Sequence, residues 1–358
     1  MSSQLDYNFS RYTKVPKIGL INLGDTSYLN AVLQCFRNNY YIANYFLDPI
    51  TLIKINSNPG KNPLSFIIGK VFTHLYPYPE KDEKGAYNID NIFKILKEIS
   101  NFKNYKKKPP NDFLIYLLDR IHKELNEIDY LISNNNNDIN KLKEREEIIK
   151  EGITNFHNSN NSIISKYFNW FNLKEYHCTQ CKNIKYDLKS FNTYDLNISN
   201  YYKNNQNNKI IISDCLKFIS ETNTERVCFN CKTKVKFRII DRIYSSPKIF
   251  IFILDRGNMD NELIKIPFII EEKINLNDYI EEINIPKEYE LFGVVSISLR
   301  EIKYIAFSKS PIDQKWYLYN DTEIHPVSLD FVIKSHNNFH FYTPCILFYE
   351  SIKNELKI

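Results

Sequence analysis

Four of the seven cysteines fall in two Cys-x-x-Cys units, Cys178-Thr-Gln-Cys181 and Cys228-Phe-Asn-Cys231, with 46 residues between them. Each unit fits on one tight knuckle turn. Two knuckles brought together present four thiolates in the tetrahedral array that holds one structural Zn2+. All four coordination positions would then be filled by protein, leaving none open for chemistry. The spacer exceeds that of a compact zinc ribbon and predicts a long two-stranded extension whose far end the metal clamps. Unrelated buried or redox-active cysteines are the alternative. Cys35, Cys215 and Cys345 lie in apolar runs and read as core. The histidines (His74, His122, His157, His177, His325, His336 and His340) are scattered, and none lies between positions 178 and 324. His177 adjoins Cys178, but four cysteines already complete a tetrahedron.

The elements that must carry these residues change character along the chain. Residues 1–16 read as a polar lead-in. In 27–47 (SYLNAVLQCFRNNYYIANYFL) apolar groups recur at three-to-four spacing and predict an amphipathic helix, preceded by the polar turn Gly24-Asp25-Thr26. A second helix is expected over 111–128. Asn134–Asn137 marks a polar turn, and the charged tract 138–152 reads as an exposed helix or flexible insertion. From about 165 onward short Ile-, Tyr- and Phe-rich runs alternate with Asn, Pro and Lys clusters. Strands are expected at 247–254, 290–298, 303–308, 315–319 and 341–349. A helical front and a largely antiparallel back make an α+β layout.

Composition bounds the rest. The chain has 358 residues, 43% hydrophobic and 25% charged, which is globular and long enough for a substantial core. Lys+Arg 47 against Asp+Glu 42 gives +5, too weak an excess to point to nucleic acid. No run approaches the roughly 18 apolar residues of a membrane span. The N-terminus, MSSQLDYNFSRYTK, lacks an apolar signal region, and an odd cysteine count argues against disulfides. The expectation is an intracellular protein, cytoplasmic or nuclear and not secreted, with no nucleic-acid or membrane partner.

Residues 19–36, GLINLGDTSYLNAVLQCF, resemble the N-terminal box of the ubiquitin-specific proteases (USPs, peptidase family C19), which runs G-L-x-N-x-G-x-T-C-Y-x-N-S-x-L-Q. Gly19, Leu20, Asn22, Gly24, Thr26, Tyr28, Asn30, Leu33 and Gln34 match. The cysteine pairs match the zinc-bearing fingers of that family. PKIFIFILDR (247–256), KWYLYNDTEI (315–324) and CILFY (345–349) resemble its later strands, in the same order. The resemblance implies a papain-like USP fold: a helical thumb (about 17–164), β fingers (about 165–245) and an antiparallel β palm (about 246–355), after a lead-in over 1–16. It also implies a ubiquitin thiol hydrolase, or deubiquitinase. Position 27 would hold the nucleophile, at a helix N-terminus that stabilises a thiolate. Position 303 would hold the base and Asn320 the orienting residue, with Asn22 at the oxyanion position.

Two of these positions depart from the family. The nucleophile position is Ser27 instead of cysteine, and the base position falls on Lys303 instead of histidine. The glycines of the family's H-S-G-x-x-x-x-G-H loop are also missing. Its Gln-Asp pair falls on Lys108 and Pro109, while Asp112, Phe113 and Leu114 keep the end of that box. Because triad members act as a unit, losing two is decisive. The expected function is a pseudoenzyme that binds ubiquitin, a ubiquitin-like protein or another protein partner without cleaving it. Two alternatives stand beside it: a hydrolase using a Ser27–Lys303 dyad, which needs a lowered lysine pKa, and a scaffold in a larger complex independent of ubiquitin.

Overall fold

The apolar periodicity after Asp25 yields two helices, not the single one expected over 27–47. Asn38 and Asn39 break it. The Asn39 side chain accepts hydrogen bonds from the Tyr41 and Ile42 amides at 3.0 and 3.2 Å and so caps a new helix. The computed structural model describes residues 15, 17–61, 63–76, 85–98, 109–128, 144–205, 209–219, 221–256, 266–283, 285–338 and 341–352. The expected turn at Asn134–Asn137 and most of Lys106–Pro109 lie outside them.

In chain order the elements begin with β1 (Ile18–Leu20), α1 (Ser27–Arg37), α2 (Tyr40–Leu47), α3 (Pro49–Asn56), α4 (Pro63–Leu75), β2 (Gly85–Tyr87), α5 (Asp90–Lys97) and α6 (Pro110–Leu125). There follow α7 (Arg145–Ser159), α8 (Ile163–Tyr167), β3 (Trp170–Cys178), β4 (Ile184–Phe191), β5 (Tyr194–Asn197), α9 (Ile198–Asn205) and α10 (Ile212–Ile219). The rest are β6 (Glu221–Val227), β7 (Lys234–Ser245), β8 (Ile249–Asp255), β9 (Lys273–Asn275), β10 (Glu288–Ser298), β11 (Lys303–Lys309), β12 (Trp316–Asn320), β13 (Glu323–Val327), α11 (Leu329–Asn337) and β14 (Tyr342–Ser351).

The large sheet runs β13-β12-β11-β10-β14-β8-β5, with β9 paired to β10. Only β5 runs parallel to its neighbour, β8. The helical front packs on this sheet through α1, every residue of which is buried. Gly293 of β10 allows the approach: a Cβ there would lie 3.3 Å from Cys35 Sγ. Each Leu, Ile or Phe so buried contributes about 1.5–3 kcal/mol. Arg37, at the end of α1, is completely buried. Its Nε donates to Gln34 Oε1 at 2.5 Å, and its guanidinium lies 5.3 and 5.2 Å from the ring centres of Tyr76 and Tyr319. Two aromatic faces thus receive a cation that has no carboxylate to pair with among the described residues. They also fix β12, where Tyr319 sits, against α1.

The small sheet, β4-β3-β7-β6, has four strands instead of the two expected. Hairpin β3–β4 turns at the first cysteine knuckle and hairpin β6–β7 at the second, and β3 pairs with β7 to join them. Strand β6, ETNTERV, has no apolar alternation to announce it. Between β4 and β6 the chain returns to the large sheet as β5. Trp170 marks the junction, its ring 5.2 Å from that of Phe191 and 5.1 Å from that of Tyr194.

One histidine ties α11 to the large sheet. His336 is buried against the Phe307 and Tyr342 rings. Its Nδ1 donates to the Val332 carbonyl at 2.7 Å, which leaves Nε2 to accept from Ser296 Oγ at 2.8 Å. Burial pushes its pKa down to about 4. Between pH 6.5 and 4 the unfolded chain therefore binds a proton that the folded chain refuses. The contribution is complete above 6.5 and is lost as pH falls toward 4. It amounts to about 3 kcal/mol, from about 1.4 kcal/mol per pH unit. Urea unfolding followed against pH is expected to show this acid-side loss in the wild type and a shallower one in His336→Gln.

Candidate functional site

Ser27 opens α1 and is 6% exposed. The loop before it is organised by one side chain. Asn22 Oδ1 accepts from the Gly24 amide (3.0 Å), the Thr26 amide (3.1 Å) and Thr26 Oγ1 (3.2 Å). Gly24 and Asp25 take positive φ values of 87° and 56° to close the turn. Gly19 has no room for a side chain, because a Cβ there would meet the Thr322 carbonyl oxygen at 2.4 Å. Strand β1 is thereby pressed against the β12–β13 turn, and the Leu20 amide donates to the Asp321 carbonyl at 2.8 Å.

Asp321, at φ 53°, is the centre of this junction. Its carboxylate accepts from Asn22 Nδ2 at 3.0 Å and from Asn30 Nδ2 at 2.8 Å. Lys303 Nζ lies 3.6 Å from Asp321 and 2.8 Å from Glu301 Oε2. Burial alone lowers the Lys303 pKa, but the hydrogen bond to Glu301 and the charges of Asp321 and Glu301 outweigh it. The net shift is upward from the ordinary lysine value. A lysine base requires the opposite. Glu301 is correspondingly held below the ordinary glutamate value, first by its hydrogen bond to Lys303, with a smaller contribution from one to Asn320.

The fold brings Ser27, Lys303, Asn320 and Asn22 to one junction. Ser27 Oγ accepts from the Tyr304 amide at 3.2 Å. That N–H is a donor and cannot take the hydroxyl proton; among the described residues no acceptor engages it. Asn320 Oδ1 is buried without a hydrogen-bond partner among the described residues. One N–H of Asn22 is committed to Asp321. His325 pairs with Glu323 at 3.5 Å on the surface, and His177 with Glu175 at 3.0 Å. Sequence reasoning missed Glu301 and Asn30 as members of this network. The Glu-x-Lys spacing across a predicted hairpin was the available signal for Glu301.

The second cluster is a candidate metal centre. The sulfurs of Cys178, Cys181, Cys228 and Cys231 all lie within 4.8 Å of one another, with Cys178–Cys231 at 3.9 Å and Cys181–Cys228 at 3.7 Å. A tetrahedron with Zn–S bonds of about 2.3 Å has edges of about 3.8 Å, so these donors fit zinc. Both knuckles have the same construction. The Cys178 amide donates to Asn183 O and the Cys228 amide to Thr233 O, each at 3.0 Å, while Lys182 and Lys232 adopt φ 64° and 58°. His177 is not part of the cluster.

A profile described as ubiquitin carboxyl-terminal hydrolase matches residues 18–349. Ubiquitin carboxyl-terminal hydrolase 4 of Saccharomyces cerevisiae (strain YJM789) is 24% identical over 352 residues, covering 87% of this chain and 37% of that protein. Probable ubiquitin carboxyl-terminal hydrolase 16 of Schizosaccharomyces pombe is 25% identical over 333 residues, covering 88% and 64%. The chain thus spans less than two thirds of the length of these relatives. Among solved structures, a chain of the SAGA Ubp8/Sgf11/Sus1/Sgf73 DUB module bound to ubiquitin aldehyde superposes with a TM-score of 0.64. It has 19% identity and covers 95% of this chain and 71% of that one. At that identity the likeness establishes the fold. No helix among the described residues is long and apolar enough to cross a membrane.

Proposed function

The chain belongs to the ubiquitin carboxyl-terminal hydrolase family, and from that premise we propose that it is a pseudoenzyme: it binds ubiquitin or a ubiquitin-like protein without cleaving it. The observation that carries this reading is Lys303, which stands at the family's base position as a cation bonded to Glu301 and Asp321. A serine nucleophile depends on a positioned base, and here the base position holds a group already protonated. The raised Lys303 pKa counts against a Ser27–Lys303 dyad.

In this reading Ser27, Lys303 and Asn320 are the remnants of the triad, and Asn22 organises the box instead of donating to an oxyanion. Residues 17–164, 165–245 and 246–355 serve as thumb, fingers and palm. The four cysteines hold one structural zinc, whose thiolates suit a reducing, intracellular setting. A scaffold role independent of ubiquitin is favoured by one specific feature. Lys108 and Pro109 replace the Gln-Asp pair at a position that faces a cationic ubiquitin tail in the family.

Titration with ubiquitin, beside incubation with ubiquitin carrying a C-terminal phosphonate electrophile that captures hydroxyl as well as thiol nucleophiles, separates the readings. Saturable binding without a covalent adduct is expected. An adduct lost in Ser27→Ala would establish a hydrolase, and absence of both would leave the scaffold.

A further inference from the structure

The far end of the small sheet carries charge that neither the metal centre nor the family site uses. Residues 176–187 and 224–238 hold seven cations, Lys182, Lys185, Arg226, Lys232, Lys234, Lys236 and Arg238, against two acids, Asp187 and Glu225. All seven are exposed. Both acids are already in ion pairs, Asp187 with Lys189 at 3.4 Å and Glu225 with Lys234 at 3.2 Å. The contrast within the chain is sharp: residues 246–358 carry 12 Lys and Arg against 17 Asp and Glu. A solubilising surface intersperses the two signs, and this one separates them.

Part of the excess has a local cause. A dication held by four thiolates is itself net negative, and Lys182 and Lys232 follow the second cysteine of each knuckle, where they offset it. The remaining cations lie further down the strands, on both faces of the sheet. Lys185 and Arg226 share the face of Tyr176, with Arg226 5.1 Å from that ring's centre. Lys236 and Arg238 point to the opposite face, with His177.

Among these charges stand two apolar side chains with no cover. Val227 is 70% exposed and Phe229 64% exposed. Phe229 lies inside the second knuckle and is held by Lys232, whose Nζ sits 4.0 Å from its ring centre. An exposed aromatic with a lysine over its ring, set in a surface of excess positive charge, has the composition of a binding hot spot with a charged rim. It is the only exposed large aromatic in these two segments. A single-stranded nucleic acid needs successive stacking platforms. One ring with a cationic rim instead suits a protein segment that offers one apolar pocket or side chain amid carboxylates.

We propose that the zinc-knuckle end of the small sheet is a docking surface for an acidic polypeptide, anchored on Phe229 and Val227 and steered by the surrounding lysines and arginines. This surface is separate from the Ser27 site and does not depend on whether ubiquitin is bound there.

The test uses the full chain with its metal and a fluorescein-labelled peptide of alternating Glu and Leu. Binding read by anisotropy is expected to be saturable and to weaken steeply between about 50 and 200 mM salt. Phe229→Ala is expected to weaken it about tenfold, the usual scale for a central aromatic anchor. The triple change Lys185→Glu, Lys232→Glu, Lys236→Glu is expected to abolish it. Zinc content and thermal unfolding of each variant report that the knuckles remain folded. No binding to the peptide, tighter binding to a single-stranded oligonucleotide, or displacement of the peptide by saturating ubiquitin would each overturn the proposal.

Discussion

Release of a fluorescent leaving group from the ubiquitin C-terminus is expected to stay at background for the wild-type chain, and for Ser27→Cys as well. The first half follows from the only hydrogen bond Ser27 Oγ makes among the described residues, a donated amide N–H from Tyr304. The second half follows from Lys303. A thiol at position 27 would sit at the N-terminus of α1 and near an ammonium, both of which favour the thiolate. Such a cysteine is therefore expected to react with iodoacetamide faster than an ordinary surface thiol. Turnover needs more, because the departing amine must receive a proton. Lys303, with its pKa raised, parts with one too reluctantly to cycle. General acid–base help is worth roughly 10²–10⁴-fold, and its absence holds the single variant down by that factor. Adding Lys303→His supplies both a base and a donor for the buried Asn320 Oδ1. The double variant is expected to gain measurable activity over Ser27→Cys, limited by the loop glycines that this chain lacks. Wild-type turnover abolished by Lys303→Ala would overturn this account and establish a Ser–Lys mechanism.

Stripping the metal is expected to unfold the end of the small sheet while leaving the large one intact. The apolar core of this region is thin: among the described residues its buried members are Cys178, Cys228 and Phe237. Little else holds the two knuckles together, so metal affinity there is folding free energy, on the order of 10 kcal/mol for a structural zinc site. The helical front and large sheet have their own cores and do not share the loss. Elemental analysis is expected to give one zinc per chain. Hydrogen exchange after chelation is expected to accelerate at the knuckle ends of β3, β4, β6 and β7 and to stay slow in β8, β10 and β14. Cys178→Ser is expected to reproduce this pattern without a chelator. Purified protein devoid of zinc, with a protected small sheet, would refute the assignment.

What could be read from sequence were features written along one stretch of chain. The box from Gly19 to Gln34 and the paired cysteines carry their meaning in local spacing. The strands of the large sheet announce themselves as apolar runs because both faces are covered. The break between α1 and α2 was not legible. Asn39 sits in a run whose apolar spacing continues through it, and only its side-chain cap shows the break. Strand β6 was missed for the opposite reason: it is polar on both faces and gains its place from pairing with β7. The wiring of the site was hidden as well. Lys303 was visible as a substitution, but the upward shift of its pKa depends on Glu301 in the β10–β11 turn and on Asp321 in the β12–β13 turn.

The junction around Asp321 also has a consequence for how the molecule is made. Asn22 and Asp321 are separated by 299 positions, Asn30 and Asp321 by 291, and Ser27 and Tyr304 by 277. At roughly 5–20 residues per second, the ribosome delivers the second half of this junction about 15–60 s after the first. Until then Gly19, Asn22 and Asn30 have nothing to close upon, and α1 waits with an apolar surface meant for strands not yet synthesised. Its contacts are among the most distant in sequence that the fold contains, the kind that form slowly because the intervening chain must first be ordered. The nascent chain therefore spends most of its synthesis with a helix that the finished fold buries along its whole length still lacking its strand partners. That interval is when holding by a chaperone, or misassociation with another chain, would decide its yield.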